Sequence, residues 1–176
     1  MIRPLVSLAA LGLAANPAFA MELKSADLAE GAMFPAGQVC SDYGGGNIAP
    51  ALSWSGVPEN AKSLAITIYD PDAASGWWHW LVVNMPPNTT SLAQGAGSGK
   101  AQLPQGAQEA ANSYGNSTYD GPCPPQGSGT HHYQITLWAL PDAKAEADLS
   151  GAPDAVGRWL EKHALARARL TPVYRK

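Results

Sequence analysis

Charged residues are scarce in this chain of 176 residues, because Asp, Glu, Lys and Arg together make up 14% of it. The 11 basic residues form no cluster and are outnumbered by 14 acidic ones. This excludes the basic patch typical of nucleic-acid partners and of proteins that bind anionic membranes. The same low charge beside a hydrophobic fraction of 45% excludes a disordered chain. We therefore expect a folded protein, and its length predicts one domain.

Recognisable catalytic and cofactor motifs are also missing. The sequence has no G-x-S-x-G elbow, no H-E-x-x-H pair, no dinucleotide-binding glycine motif in a strand–helix context and no P-loop. No serine or cysteine stands in a recognisable nucleophile motif. Adjacent His131 and His132 would point to opposite faces of a strand, so they could not share a metal ion. The sequence predicts no cofactor, no metal site and no enzymatic activity. A hydrolase is the least favoured of the functions considered.

Long apolar runs are confined to the N-terminus. Residues 1–20 place Arg3 before an apolar stretch and end on Ala18-Phe19-Ala20, which is the order of a secretory signal peptide with its cleavage site. The stretch is shorter than the roughly 20 residues of a membrane span, and an uncleaved anchor is the alternative. We expect residues 21–176 to form a single exported domain, periplasmic or secreted, without a transmembrane segment.

Cysteine is limited to two residues, Cys40 and Cys123. Export to an oxidising compartment favours a disulfide between them. Closing a loop of about 80 residues would stabilise the fold by roughly 4 to 5 kcal/mol in the chain-entropy description. Two buried thiols are the alternative. Neither cysteine lies in a C-x-x-C pair, which argues against a metal site.

The patterns that are present predict a β-rich fold with many turns, in keeping with 18 glycines and 15 prolines. Strict alternation predicts strands over 63–69 and 133–140, and an aromatic and β-branched run predicts a strand buried on both faces over 77–84. An apolar stripe that includes Val156 and Leu160 predicts one amphipathic helix opening at Pro153.

The remaining segments carry weaker signals. Residues 33–60 are expected to be irregular, and residues 170–174 to form a short terminal extended segment. Residues 86–130 are rich in Gly, Ser, Asn, Gln and Pro, with little periodicity. Long ordered loops of this kind often bind ligands.

Polar residues that could bind a ligand or take part in catalysis lie beside the predicted strands. Asp70 and His79 are expected on adjacent strands of a hairpin, where a carboxylate could hold an imidazole in one tautomer or charge state. Gly121 would let the backbone approach a ligand closely, and the prolines that follow it would stiffen the loop. The alternatives are a core histidine at His79 and a simple turn at Asp70-Pro71-Asp72.

Three motifs occur in order along the chain: 69–73, 76–84, and 121–125 followed by Gly127 and His131-x-Tyr133. They resemble motifs of the phosphatidylethanolamine-binding protein (PEBP) family, most closely those of its bacterial branch of Raf-kinase-inhibitor-like proteins. Further agreement at Cys40, 46–54 and 164–171 extends the resemblance to about residues 33–175. His132 stands where that family usually has arginine, a difference expected to affect packing or rim charge rather than ligand binding.

The resemblance implies a mainly β fold. A large central antiparallel sheet would carry a smaller sheet packed on it in Greek-key fashion, with peripheral helices including one near the C-terminus. It also implies a small anion pocket. The implied ligand-binding residues are Asp70, Asp72, His79, Gly121, Pro122, His131 and Tyr133.

The function implied is that of an exported protein that binds a small anion or a phosphorylated head group, such as phosphate or phosphoethanolamine. His79 and His131 would donate hydrogen bonds to the anion, and Asp70 would orient an imidazole. The alternative is an inhibitor or modulator of a partner enzyme, a protease or kinase, acting through the pocket rim. The short loop after Asp72 argues against the kinase inhibition of animal members.

Overall fold

The structure is a computed structural model that describes residues 20–176. The predicted signal peptide, apart from its last residue, lies outside the described residues and stays a prediction. Within residues 20–176, no helix combines the length and apolar character that crossing a membrane requires.

The described chain forms ten strands, one α-helix and two 3-10 helices, at Ala36–Gln38 and Ser41–Tyr43. The α-helix, α1, spans Pro153–His163. The strands are β1 (Glu22–Ser25), β2 (Leu52–Ser55), β3 (Ser63–Asp70), β4 (Trp77–Met85), β5 (Ser91–Leu92), β6 (Gln108–Glu109), β7 (His131–His132), β8 (Gln134–Leu140), β9 (Ala166–Leu170) and β10 (Val173–Tyr174).

The three predicted strands are confirmed as β3, β4 and β8. They lie together in a five-stranded antiparallel sheet of order β6-β4-β3-β8-β9. β3 and β4 pair as the predicted hairpin. Most of β4 is buried, as its aromatic and β-branched sequence predicted, because this sheet is covered on both faces.

Two smaller antiparallel sheets complete the mainly β fold, one of order β1-β2-β5 and one of β10 with β7. β2 corrects the expectation that residues 33–60 are irregular throughout. Its Leu52 and Trp54 are buried while Ser53 and Ser55 are exposed, but alternation over four residues gives little signal in a sequence. The predicted extended segment near the C-terminus is present as the end of β9 and β10.

The main core lies between the five-stranded sheet and the β1-β2-β5 sheet. Leu52 and Trp54 from the smaller sheet pack in one cluster with Ile66, Val82 and Ile135 from the larger one. Each such buried side chain contributes about 1.5 to 3 kcal/mol relative to exposure. This packing holds the ends of β3, β4 and β8 in fixed positions.

Helix α1 covers the opposite face of the five-stranded sheet, as the apolar stripe predicted. Val156 and Leu160 pack there with Leu81 of β4. Pro153 begins the helix, at a position whose backbone N–H would have no partner within the helix.

Candidate functional site

A cavity of about 500 Å³ lies where β3 ends and β4 begins. Its walls combine the titratable side chains predicted for the site with aromatic residues and prolines from the loops. The lining residues are Asp70, Asp72, Ala73, Ala74, Trp77, His79, Tyr114, Cys123, Pro124, Pro125, Ser128 and His131.

His79 is positioned by a β-bulge in β4. Ile68 of β3 lies opposite Trp80 and the next residue, Tyr69, lies opposite Trp78, so His79 is the extra residue with no partner in the register. The bulge reverses the alternation of β4, and Trp78 faces helix α1 while Trp80 faces the main core. Bulges often redirect a side chain next to a functional site.

The imidazole of His79 is buried and held in one orientation. Its Nδ1 lies 2.8 Å from the backbone carbonyl oxygen of Asp120, so Nδ1–H donates and Nε2 is the ring nitrogen left for a ligand. Burial lowers the pKa of His79, against the opposing effect of the Asp120 carbonyl. The ring is therefore mostly neutral near pH 7.

The carbonyl that holds His79 belongs to a braced segment. The carboxylate of Asp120 accepts hydrogen bonds from the amides of Asn112, at 2.8 Å, and Asn47, at 3.4 Å. Asn47 also accepts the backbone N–H of Gly121 at 2.7 Å. Asn47 lies in the 46–54 segment that agrees with the family, but no role was predicted for it. Asn112 was missed, because an isolated asparagine in a loop carries no spacing signal.

Asp70 holds the imidazole of His131, whereas the hairpin had suggested His79 as the partner of this carboxylate. The Asp70 Oδ2 and His131 Nδ1 atoms are 2.6 Å apart, and both side chains are buried. The register of the strands gives the reason. On one side of β3, Asp70 lies opposite Trp77 and not opposite His79. On the other side, β3 pairs with β8, which begins three residues after His131 and so brings that histidine close to Asp70. Asp70 Oδ1 also accepts the backbone N–H groups of Asp72 and Ala73 and so fixes the turn.

The other nitrogen of His131 contacts a residue that sequence reasoning did not single out. Ser128 Oγ lies 2.9 Å from His131 Nε2 and 2.7 Å from the backbone carbonyl oxygen of Pro125. Ser128 belongs to no nucleophile motif, and only its separation of three residues from His131 hints at the contact. The turn from Pro125 to Ser128, with Gly127 at φ +80°, brings the two together.

Asp72 and His132 form a pair at the rim. Asp72 Oδ2 accepts the backbone N–H of His132 at 2.7 Å and contacts its Nδ1 at 2.8 Å. The donated backbone N–H is the main reason that the pKa of Asp72 is lowered. His131 is buried and His132 exposed, so the prediction that they face opposite ways is confirmed.

Gly121, Pro122 and Tyr133 stand behind the cavity wall and do not line it. A Cβ on Gly121 would lie 2.1 Å from the backbone oxygen of Gln38, so the missing side chain allows two backbone segments to approach. The carbonyl of Pro122 accepts the N–H of Cys40 at 3.2 Å. The buried ring of Tyr133 packs edge-on against His79, with centroids 5.2 Å apart.

The predicted disulfide is present: Cys40 and Cys123 are bonded. It ties the Gly121–Pro125 loop to the segment containing Ser41–Tyr43, and Tyr43 Oη also donates to the carbonyl of Pro124 at 2.5 Å. Both contacts fix the loop that carries the cavity residues from Cys123 to Pro125.

Aromatic side chains at the mouth were not predicted. Tyr114 is 46% exposed and packs edge-on against Trp77, with centroids 5.1 Å apart. Partial burial raises the pKa of Tyr114 to about 12, so its hydroxyl stays neutral in ordinary buffers. Tyr114 falls in the 86–130 loop, which was predicted to bind but offered no means of choosing one residue.

The cavity has few sources of positive charge. Among the lining residues there is no Lys or Arg, so within this wall a positive charge requires protonation of a histidine. Among residues 20–176, no three His, Cys, Asp or Glu side chains are grouped as metal ligands would be.

Fold and site together define a mainly β protein with a cavity lined by histidine and aspartate side chains at the ends of its central strands. A family profile described as phosphatidylethanolamine-binding protein matches residues 24–175. The chain belongs to the phosphatidylethanolamine-binding protein family, as the sequence motifs implied.

Several relatives are similar over most of the chain. The UPF0098 protein YbcL of Escherichia coli K12 is 43% identical over 162 residues, which cover 89% of this chain and 88% of YbcL. The UPF0098 protein YbhB of the same organism is 41% identical, covering 88% of this chain and 99% of YbhB. The crystal structure of E. coli YbcL, titled a new member of the mammalian PEBP family, superimposes with a TM-score of 0.83 at 42% identity and covers 89% of this chain and 98% of that one.

A third relative is described as a lipoprotein. The putative lipoprotein LppC of Mycobacterium tuberculosis H37Rv is 42% identical over 134 residues, which cover 74% of this chain and 62% of LppC. Disulfides such as Cys40–Cys123 persist in oxidising compartments and are rare in a reducing cytosol.

Proposed function

We propose that the cavity binds a small anion, either free phosphate or the phosphate of a phosphorylated head group. The observation that carries this proposal is the pair of buried imidazoles in its wall, each held at Nδ1 by a fixed acceptor. In His79 Nε2 is the nitrogen that remains for a ligand, and at His131 Nε2 a bound anion would replace the contact with Ser128 Oγ. Two imidazolium Nε2–H groups and the released Ser128 hydroxyl would be donors suited to phosphate oxygens.

Protonation controls the strength of this binding. A neutral His79 ring that donates through Nδ1 has no proton on Nε2, so it donates to an anion only as an imidazolium. Burial lowers the pKa of His79, and anion binding therefore includes the cost of protonating this ring near pH 7. His131 differs from His79 in that its Nδ1 lies 2.6 Å from the buried carboxylate of Asp70, where His79 has a neutral carbonyl.

Membership of the phosphatidylethanolamine-binding protein family supports a phosphorylated head group as the ligand class. The cavity of about 500 Å³ has room for a head group, and acyl chains would stay outside. The protein would act in the periplasm or after secretion, directed there by residues 1–20.

Calorimetric titration with phosphate and with phosphoethanolamine at pH 6 tests the proposal. Wild-type protein is expected to bind saturably, and a His79→Ala, His131→Ala double variant to lose that binding. His163→Ala is the matched control, because this histidine lies at the end of α1 and stacks on Trp159, away from the cavity. Circular dichroism shows whether each variant is folded. Folded wild type that bound neither compound would contradict the proposal.

The exposed Tyr114 supports a second candidate, in which the rim contacts a partner enzyme and modulates it. Exposed aromatic residues are enriched at protein interfaces, and Tyr114 projects beside the cavity mouth. Partner binding that is lost in Tyr114→Ala, yet survives the double histidine variant, would distinguish this candidate from anion binding.

A further inference from the structure

Three side chains in the cavity wall are arranged in space as a nucleophile, a base and a carboxylate. Ser128 Oγ is 2.9 Å from His131 Nε2, and His131 Nδ1 is 2.6 Å from Asp70 Oδ2. These are hydrogen-bond distances, with the base oriented by a third group, and such triads are recognised by geometry rather than by order in the sequence. We propose that Ser128, His131 and Asp70 give the protein an acyl-transfer activity toward small uncharged carboxylic esters.

This activity is separate from anion binding, although the two share the cavity. The sequence predicted no enzyme because no serine stood in a nucleophile motif. The structure supplies the nucleophile through a loop turn that no motif describes. Ser128 is exposed and lines the cavity, so a substrate has access to its hydroxyl.

The position of one proton decides whether Ser128 is activated. When His131 is an imidazolium, its Nδ1–H donates to Asp70, its Nε2–H donates to Ser128, and the serine hydroxyl donates to the Pro125 carbonyl 2.7 Å away. When His131 is neutral, Nε2 is free to accept the proton of Ser128. The nucleophilic state is therefore the one with a neutral His131 ring, whereas the imidazolium is the state that donates to an anion.

The reaction proceeds in two balanced steps. Ser128 Oγ forms a bond to the ester carbonyl carbon while its proton passes to His131 Nε2. The bond to the alcohol oxygen then breaks, and the departing alcohol takes that proton. Water attacks the resulting acyl-serine with His131 again as base, which releases the acid and restores Ser128. Asp70 is a positioning residue that keeps the proton of His131 on Nδ1 and stabilises the imidazolium.

The substrate class follows from the rest of the wall. Ala73, Ala74, Trp77 and Pro124 make much of it apolar, and the volume of about 500 Å³ suits a small ester. An uncharged acetyl or butyryl ester fits both features.

Covalent labelling tests the nucleophile directly. The full-length protein is incubated with a fluorophosphonate, and the adduct is located by peptide mass spectrometry. We expect one adduct at Ser128 that is absent from Ser128→Ala. Ser150→Ala is the matched control, because Ser150 is exposed and bonds the carboxylate of Asp148 at 2.8 Å without an imidazole; this variant should label like wild type. Wild type without an adduct at Ser128 would overturn the proposal.

Hydrolysis of 4-nitrophenyl acetate tests the reaction itself. Ser128→Ala, an exposed change that the fold should tolerate, is expected to reduce 4-nitrophenolate release by about a hundredfold or more. Folded Asp70→Asn should lower kcat and leave KM near the wild-type value, because Asp70 acts by orienting His131. Equal release from wild type and Ser128→Ala would overturn the proposal. An unchanged kcat in folded Asp70→Asn would contradict the role given to Asp70.

Discussion

At the residue scale, the site depends on which atom each polar group contacts. His79 and His131 are both buried beside the same cavity, yet a neutral carbonyl holds one ring and a carboxylate holds the other. Burial lowers the pKa of His79, whereas the group that holds His131 is the buried carboxylate of Asp70. Two histidines that look equivalent in the sequence therefore have different electrostatic environments.

The affinity for a permanently dianionic ligand should fall as pH rises. Sulfate keeps its charge between pH 5 and 8, so a change in its affinity reports protonation of the protein. The pKa of His79 is below its usual value in the free protein, and a bound anion would raise it. Between these two pKa values, affinity should fall by up to about tenfold per pH unit for each proton taken up. Isothermal titration calorimetry at several pH values measures this slope.

The variant His79→Gln provides the comparison, since its amide does not titrate. It should bind sulfate more weakly at low pH and show a flatter profile. A wild-type affinity that did not change with pH would contradict a role for imidazolium in binding.

Gly121 is predicted to be intolerant of any side chain. Its Cβ would lie 2.1 Å from the Gln38 oxygen and 2.9 Å from the Cys40 nitrogen, and backbone atoms cannot turn aside as a side chain can. Gly121→Ala should lower the free energy of unfolding by about 1 to 3 kcal/mol, measured by urea denaturation. Gly37→Ala is the matched control, because a Cβ there has no neighbour within 4 Å. Equal stability of the two variants would argue against this tight backbone contact.

At the element scale, long strands could be predicted and short ones could not. β3, β4 and β8 carry seven to nine residues of regular pattern, enough for periodicity to appear. β5, β6 and β7 have two residues each, and their pairing depends on contacts made elsewhere. The bulge at His79 was equally hidden, because the run 77–84 is uninterrupted in the sequence.

Candidate site residues show the same division. Asp70, Asp72, His79 and His131 could be proposed because they adjoin strong strands and match family motifs. Ser128 and Tyr114 could not, since the fold of the loops decides which loop side chain reaches the cavity. The partner of Asp70 depended on strand order in the sheet, which places β8 beside β3.

Helix α1 docks against the sheet through a glycine. A Cβ on Gly157 would lie 2.3 Å from Cζ2 of Trp78, whose indole N–H also donates to Asp154 at 2.7 Å and so resists displacement. Replacing a helical glycine with alanine ordinarily stabilises by about 1 kcal/mol. Here we expect Gly157→Ala to destabilise by about 1 to 3 kcal/mol instead. Thermal and urea unfolding measure whether the variant is less or more stable than wild type. A gain in stability would contradict close docking of the helix.

At the scale of the whole molecule, the disulfide joins segments far apart in the chain and braces one side of the cavity. Cys40 and Cys123 are separated by 83 positions, and Cys123 itself lines the cavity. Compartment and cysteine count were enough to predict the bond. The effect of the bond on the cavity could be inferred only once the fold was known.

Removing this bond should destabilise the protein without changing its secondary structure at low temperature. We expect the Cys40→Ser, Cys123→Ser variant to lose about 2 to 5 kcal/mol of unfolding free energy. Wild type treated with dithiothreitol should lose a similar amount, and the variant should not respond to dithiothreitol. Unchanged stability of the variant would mean that the crosslink contributes nothing to the folded state.

The central claim is that His79 and His131 together form an anion site, and NMR of the histidine rings during a phosphate titration tests it most directly. The chain has four histidines, so each ring can be assigned, and His163 on α1 serves as a control within the same sample. We predict saturable shifts of the His79 and His131 ring signals and a raised His79 pKa, with His163 unaffected. Phosphate that left both cavity rings unshifted would contradict the account.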